Sequence, residues 1–339
     1  MPFTKILKKI ADGESLSIVE ARDAFDHIFE GKIPTEQIGD FLLGLKEKGE
    51  TANELQGAVS SMRSKAVTIE APPNTIDIVG TGGDAHGTLN ISTTVALVVA
   101  GCGVPVAKHG NRAASSKSGS SDVLSALGIN LEPPLPVLET CLHEAKICFL
   151  FAPRHHPAMK HVAEVRKKLA TRTIFNLLGP LTNPANVKRH LIGVYDLEWL
   201  GPMAETLKSL KSEAAWLTHG HDGMDEITTT DATDVVELRS NMIQHFTLEP
   251  EQVGLPRAKI EQLKGGDAIH NAAEMRKLLS GQKGAYRDIV VFNASAALIV
   301  GGKATDLRQG MTLAETAIDN GAALHTLESL IRLTTSHAA

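Results

Sequence analysis

The sequence predicts an α/β protein: a small all-helical N-terminal domain (residues 1–70) and a larger α/β domain (residues 71–339) with a mostly parallel central sheet flanked by helices. Three observations lead there. Up to residue 70, apolar positions recur at helical spacing behind capping boxes. Beyond the Ala71-Pro72-Pro73 linker, short β-rich runs alternate with helical patterns, which gives a parallel sheet covered by helices. The 339 residues, 42% of them apolar, supply core for about two domains of ~100–200 residues and exclude a disordered or low-complexity chain.

In the helical domain, Ser17-Ile-Val-Glu20 pairs a hydroxyl and a carboxylate that can each satisfy a free amide at a helix start. Ile18, Ala21, Phe25, Ile28 and Phe29 follow at helical spacing until Gly31. Pro34-Thr35 opens a second helix carrying Ile38, Phe41, Leu42 and Leu45, ending near Gly49. Thr51-Ala-Asn-Glu54 is a second capping box ahead of Leu55, Val59 and Met62. In the α/β domain, strands are expected at 75–79, 104–107, 147–151, 191–195, 214–218 and 289–292, and helices at 92–100 and 122–127. Parts of 165–185 are expected to pack against the helical domain.

Charge and cysteine content narrow the function classes. With 34 Lys+Arg against 39 Asp+Glu the net charge is −5, which argues against nucleic-acid binding through bulk charge but leaves room for a small polyanion at one focused site. Lys5, Lys8 and Lys9 interrupt the apolar residues at the start, so no signal peptide is expected. The longest apolar run, 95–106, is broken by Gly101, Gly103 and Pro105 and falls short of the ~20 residues that span a bilayer. Cys102, Cys141 and Cys148 form no CxxC, so buried thiols in a cytoplasmic protein are expected rather than disulfides or a Cys-type zinc site.

Four segments carry chemistry. In DIVGTGGD (77–84) followed by GTLNISTT (87–94), a strand feeds a Gly-rich loop and the loop feeds a helix with Ser92 and Thr93 in its first turn. Glycines let the backbone approach a ligand, and the helix start adds free N–H groups and partial positive charge, which suits phosphate. The spacing is neither the Walker loop nor GxGxxG, and a tight βα turn with a Ser/Thr cap is the plain alternative. KHGNRAASS (108–116), running on to SGSSD (118–122), follows an apolar strand and offers cations, His109, Asn111 and hydroxyls to phosphate oxygens, or else forms a solvated polar loop. HGHDGMDE (219–226) sets the adjacent carboxylates Asp225 and Glu226 on an irregular loop able to hold Mg²⁺. Zinc on His219 and His221 lacks an evident third ligand, and a solvated acidic turn would read the same way. In RHHPAMK (154–160), a helix after Pro157 would bring His156 and Arg166 to one cavity, unless the His is simply packed and the Arg a surface ion-pair residue.

Taken in order, GTGGD (80–84), NIST (90–93), KHGNRAASS (108–116), SGSSDVLSALG (118–128), HPAMK (156–160), VRKKLATRTIFNLLGPLTNP (165–184) and HDGMDE (221–226) closely resemble the anthranilate phosphoribosyltransferase family of tryptophan biosynthesis. The resemblance implies a nucleoside phosphorylase/phosphoribosyltransferase-like fold, a homodimer and Mg²⁺. It also implies transfer of 5-phosphoribosyl from 5-phospho-α-D-ribose 1-diphosphate (PRPP) to the amino group of anthranilate, releasing diphosphate. By the same resemblance Gly80, Gly83, Asp84, Thr88, Asn90, Ile91, Ser92, Thr93, Lys108, His109, Gly110, Asn111, Arg112, Ala113, Ala114, Ser115, Ser116 and Ser120 hold PRPP. Gly80, Asn111, His156, Arg166, Gly179 and Pro180 would contact anthranilate, and Ser92, Asp225 and Glu226 would hold metal. Lys108, His109 and Asn111 are the catalytic candidates, with no single residue expected to be an indispensable general base. The nearest rival is a pyrimidine-nucleoside phosphorylase, which has a KxSxR-type phosphate loop where this chain reads KHGNR. A nucleic-acid-binding relative without transferase activity would need a basic face that a net charge of −5 does not favour. Neither nucleic acid nor membrane is an expected partner.

Overall fold

The computed structural model describes residues 1–84, 86–112 and 118–336, so Ala113, Ala114, Ser115 and Ser116 lie outside the described residues. Four helices come first: α1 (Phe3–Ala11), α2 (Ile18–Phe29), α3 (Thr35–Lys48) and α4 (Ala52–Ser64). Both capping boxes close: Ser17 and Glu20 satisfy each other's amides at the start of α2, and Thr51 and Glu54 do so for α4. The Phe25 ring stands edge-on to Phe41 (5.4 Å between centroids) and to Phe175 (5.7 Å), which reaches in from the α/β part of the chain.

From Ile76 the chain alternates strand and helix. The strands are β1 (Ile76–Gly80), β2 (Val106–Gly110), β3 (Ile147–Phe151), β4 (Arg189–Gly193), β5 (Ala214–Gly220), β6 (Thr233–Arg239) and β7 (Met242–Leu248). They form one sheet in the order β3-β2-β1-β4-β5-β6-β7. β1 to β5 are parallel, while β6 and β7 return antiparallel through a turn at Ser240 and Asn241, both at positive φ. The flanking helices up to β4 are α5 (Ile91–Gly101), α6 (Ser120–Ala126), α7 (Leu135–Glu144), α8 (Ala152–His155), α9 (Lys160–Leu169) and α10 (Phe175–Leu181). Then follow α11 (Leu200–Ser209), α12 (Ala268–Leu279), α13 (Ala285–Val300), α14 (Leu307–Asp319) and α15 (Ala322–Thr335). No helix among the described residues is long and apolar enough to cross a membrane.

Strand alternation divides the core in two. Ile78, Leu191 and Trp216 face a cluster with α5, α7 and α12–α15, whereas their neighbours Val79, Ile192 and Leu217 face a second cluster with α1–α4 and α9–α11. Val165, Ile174, Phe175, Leu177, Leu178 and Leu181 belong to that second cluster, so the N-terminal helices share a core with one face of the sheet. The chain leaves β1 for β2 on one side and later returns to β4 on the other. That reversal opens a crevice beyond the carboxyl ends of β1 and β4, where open α/β sheets bind ligands.

The α/β class and the mostly parallel sheet stand, but 289–292 is not a strand. It lies inside α13, a 16-residue helix free of Gly and Pro and buried on every side from Ile289 to Val300. A short apolar run has no period that separates a buried strand from a buried helix. The second and fourth strands also sit two residues away from the expected positions: β2 starts at Val106 and continues through Lys108 and His109, and β4 starts at Arg189. The β6–β7 hairpin is not among the expected strands, although TDVVELR alternates in the half-buried manner of a strand.

Candidate active site

Four of the parallel strands, β1, β2, β4 and β5, end in glycine at the same edge of the sheet. A Cβ on Gly80 would lie 2.5 Å from Asp225 Oδ2, and one on Gly193 would lie 1.5 Å from the Asp225 carbonyl oxygen. Those missing side chains let the 221–226 loop press onto the strand ends. Beyond β1, Gly82 and Gly83 take φ of +69° and +87°, a turn that L-residues rarely make. The Gly82 amide donates to Asp225 Oδ2 (2.7 Å), and the Ser92 amide in the first turn of α5 donates to Glu226 Oε1 (3.1 Å). The electropositive start of α5 is thus already turned toward a carboxylate.

Lys108 and His109 lie within β2, not on a loop after it, because the strand continues past the last apolar residue. A charged residue ends a hydrophobic run in sequence, but Lys108 is satisfied inside: its Nζ donates to the Ile78 carbonyl (2.6 Å) and to Ser92 Oγ (3.3 Å). Burial pushes its pKa down, opposed by Asp77, Glu226 and Asp225. His109, one residue on, turns the other way, its Nδ1 3.0 Å from the Gly179 carbonyl and its ring 5.1 Å from the His156 ring. Burial and the neighbouring His156 lower the His109 pKa to about 3, and burial lowers that of His156 to about 4, so both rings are neutral at pH 7. Asn111 and Arg112 are exposed. The Asn111 carbonyl accepts from Ser120 Oγ (3.3 Å), and the Arg112 guanidinium sits 5.8 Å from the Phe151 ring centroid.

After β5 the acidic loop splits into two tasks. Asp222 accepts from Thr228 Oγ1 (2.7 Å) and from the Met224 amide (3.0 Å), which fixes the turn. Asp225 and Glu226 both line the cleft, Asp225 buried and Glu226 half-buried. Burial, then the Asp84 carboxylate, lifts Asp225 to about 7; burial, then Asp225, pushes Glu226 well up. His219 Nδ1 lies 2.8 Å from the Val194 carbonyl and His221 Nε2 lies 3.0 Å from Asp234, so each has a structural partner of its own and they do not form a zinc pair.

One cavity of about 1060 Å³ runs over these elements. Its lining includes every described residue that the resemblance assigns to substrates or metal: Gly80, Gly83, Asp84, Thr88, Asn90, Ile91, Ser92, Thr93, Lys108–Arg112, Ser120, His156, Arg166, Gly179, Pro180, Asp225 and Glu226. The glycine loop, α5 and the carboxylates supply polar lining. Met62, Val79, Phe175, Leu178 and Pro180 supply apolar lining, and the Arg166 guanidinium lies 5.6 Å from the Phe175 ring centroid.

Several lining residues went unread in the sequence. Lys264, Gly265, Gly266 and Asn271 form a strap across the second half of the Gly-rich loop. The Gly265 amide donates to the Gly87 carbonyl (2.9 Å), Lys264 Nζ donates to the His86 carbonyl (2.6 Å), and Asn271 Nδ2 donates to Asn90 Oδ1 (2.9 Å). A Cβ on Gly265 would lie 2.5 Å from the Thr88 carbonyl oxygen, so the Gly265-Gly266 pair was the available signal. Buried Asn293 of α13 clamps Ile227, accepting from its amide (2.9 Å) and donating to its carbonyl (2.7 Å), which fixes the residue next to Glu226. In sequence Asn293 stands out only as a polar residue within an apolar run, with no sign of its partner.

Residues 4–66 match the helical bundle domain of a glycosyl transferase family, and residues 72–324 match that family's a/b domain. The anthranilate phosphoribosyltransferase of Azorhizobium caulinodans is 53% identical over 332 residues, which is 98% of this chain and 96% of that protein. The chain belongs to the anthranilate phosphoribosyltransferases. It is a pentosyltransferase of tryptophan biosynthesis. The solved anthranilate phosphoribosyltransferase of Thermus thermophilus superposes with a TM-score of 0.91 at 42% identity, covering 97% of this chain and 98% of its own. The Saccharomyces cerevisiae anthranilate phosphoribosyltransferase, solved in complex with PRPP and Mg, has a TM-score of 0.89 at 26% identity with 98% of each chain covered. It has also been solved in complex with 4-fluoroanthranilate.

Proposed function

We propose that the cleft carries out phosphoribosyl transfer from PRPP to anthranilate with the donor against its polar lining and the acceptor against its apolar lining. The observation that carries this is the single cavity joining the Gly-rich loop and the Asp225–Glu226 pair to Arg166. The Gly-rich loop from Gly80 to Asp84 and the α5 start, with Asn90, Ser92, Thr93, the Lys108–Arg112 stretch and Ser120, hold the donor; Ala113–Ser116 are assigned to it through the resemblance alone. Arg166 pairs with the anthranilate carboxylate as a planar fork, and His156, Gly179, Pro180 and Asn111 line the acceptor's place.

Mg²⁺ fits the donor set of Asp225, Glu226 and Ser92. Each carboxylate commits one oxygen to a backbone amide and keeps another, and hard oxygens are what Mg²⁺ selects. When bound, the cation offsets the negative charge of diphosphate. The yeast relative's complex with PRPP and Mg supports the assignment.

Breaking the bond from ribose C1 to diphosphate builds positive charge on the sugar and negative charge on the leaving group. Lys108 and the loop amides are fixed before reaction, so they stabilise the leaving group without reorganising. The arylamine is neutral and nucleophilic at pH 7, and holding it in line with C1 supplies much of the rate. His109 and His156, with pKa values of about 3 and about 4, are weak bases, and the arylammonium left by C–N bond formation loses its proton readily without one.

The test is loss of anthranilate fluorescence on adding PRPP and Mg²⁺, abolished by chelator. Phosphorolysis of thymidine or uridine with no use of anthranilate would overturn the reading. The resemblance also supports a homodimer, to be measured by light scattering. The three cysteines, free rather than disulfide-bonded, support a cytoplasmic setting.

A further inference from the structure

We propose that Arg172 is a positioning residue that latches the Gly-rich loop in its donor-binding shape, an inference that rests on the assignment of that loop to PRPP. Arg172 lies in the turn between α9 and α10 and is exposed. Its guanidinium sits 4.1 Å from the Tyr195 ring centroid, and its Nη2 donates to the Gly83 carbonyl. Tyr195 in turn donates its backbone amide to Thr81 Oγ1 (2.9 Å). One stacked pair therefore holds both ends of the Thr81-Gly82-Gly83 stretch. That stretch needs holding, because its two glycines at positive φ restrain the backbone least of all residues. A trans peptide carries its C=O and the next N–H in opposite directions, so fixing the Gly83 oxygen on Arg172 directs the Asp84 amide to the other side of the loop.

The same turn is anchored on the acceptor side. Ala170, at φ +48°, ends α9 by donating its amide to the Arg166 carbonyl (3.2 Å), and Thr171 accepts from Lys46 of α3. The latch thus ties the donor loop to the helix that carries Arg166. Guanidinium chemistry suits it: a planar fork can lie on a ring and donate from its edge at once, which an ammonium cannot.

The test is calorimetric titration of the full chain with PRPP in saturating Mg²⁺, with KM and kcat alongside. Arg172→Ala is expected to weaken PRPP binding roughly tenfold and to raise its KM to match, with kcat and the anthranilate KM within about threefold of wild type. Tyr195→Leu is expected to do the same, Tyr195→Phe to bind like wild type, and the Arg172→Ala/Tyr195→Leu pair to be no worse than either alone. Arg172 is exposed, so its truncation leaves no core cavity, and a melting curve checks the fold. Wild-type affinity in Arg172→Ala, a Tyr195→Phe as weak as Tyr195→Leu, or additive losses would each overturn the latch, as would lower thermal stability with unchanged affinity. A wild-type protein that binds PRPP without transferring it would count against the transfer reading alone, and one that binds no PRPP would overturn both.

Discussion

Replacing Gly193 by alanine puts a methyl group where the Asp225 carbonyl already stands. The new Cβ would lie 1.5 Å from that oxygen and 2.4 Å from its carbon, whereas real Cβ contacts do not fall below 3.0 Å. β4 cannot retreat, because its register with β1 and β5 is fixed along its length. The 221–226 loop must therefore withdraw by about 1.5 Å. Asp225 and Glu226 move with it, and their bonds to the Gly82 and Ser92 amides break. A displacement of ~1 Å in a reacting constellation costs about 10²-fold, so kcat/KM for PRPP is expected to fall at least about 10²-fold, or roughly 2.7 kcal/mol of barrier. Half-saturating Mg²⁺ should rise in parallel. Stability should fall by the ~1–3 kcal/mol typical of overpacking. The anthranilate KM should barely change, because Arg166, the proposed acceptor contact, sits on α9 and not on the displaced 221–226 loop. Gly201→Ala is the control, since a Cβ there meets nothing within 4 Å. The assay is anthranilate fluorescence at varied PRPP and Mg²⁺, with urea unfolding to confirm the folded state. A folded Gly193→Ala protein with kcat/KM for PRPP within threefold of wild type would refute the steric reasoning.

Arg166→Ala should raise the anthranilate KM by about 10–100-fold, the worth of a hydrogen bond to a charged group, with little change for PRPP; equal effects on both substrates would sink the carboxylate assignment. His109→Ala and His156→Ala should each lower kcat well short of ~10³-fold, and a loss of that size at unchanged KM would identify a general base after all. His190, held neutral in the core by burial first and by Arg63 and Lys188 next, has its pKa lowered to about 3. The unfolded chain takes up this proton below pH 6.5 and the folded one does not, so stability should fall as pH drops from 6.5 toward 3, and His190→Gln should reduce that slope by up to ~1.4 kcal/mol per pH unit. Urea unfolding at pH 7, 6 and 5 measures it, and an unchanged slope would mean that His190 is protonated in the folded state.

The parts legible from sequence were those written in local chemistry. Ser17, Glu20, Thr51 and Glu54 announce helix starts because a capping box involves only residues three apart. Strand-then-glycine segments announce the sheet edge that binds ligands, and the motifs led to residues that line one cavity. What escaped depends on tertiary placement. Lys108 reads as a loop residue until Ile78 and Ser92 are seen to satisfy it. Asn293 reads as a polar interruption in an apolar run, yet that polarity clamps Ile227 beside Glu226. The strap at 264–271 meets the Gly-rich loop from some 180 residues away, a distance no local pattern spans.

A net charge of −5 is compatible with a polyanion donor because the charge is unevenly spread. Lys108, Arg112, Lys160, Arg166 and Lys264 line the cleft against only Asp84, Asp225 and Glu226, so the cavity is net positive on a net negative chain. A low-dielectric cleft focuses that local field, and the acidic remainder limits unspecific attachment to nucleic acid. The three carboxylates are not spread along the cleft. Asp225 stands beside both Asp84 and Glu226, next to the glycine loop. There they offer a bare diphosphate no positive charge, and a divalent cation would turn the same group into an attraction. Donor affinity should therefore depend on Mg²⁺ far more steeply than anthranilate affinity does, since Arg166 needs no cation to receive a carboxylate.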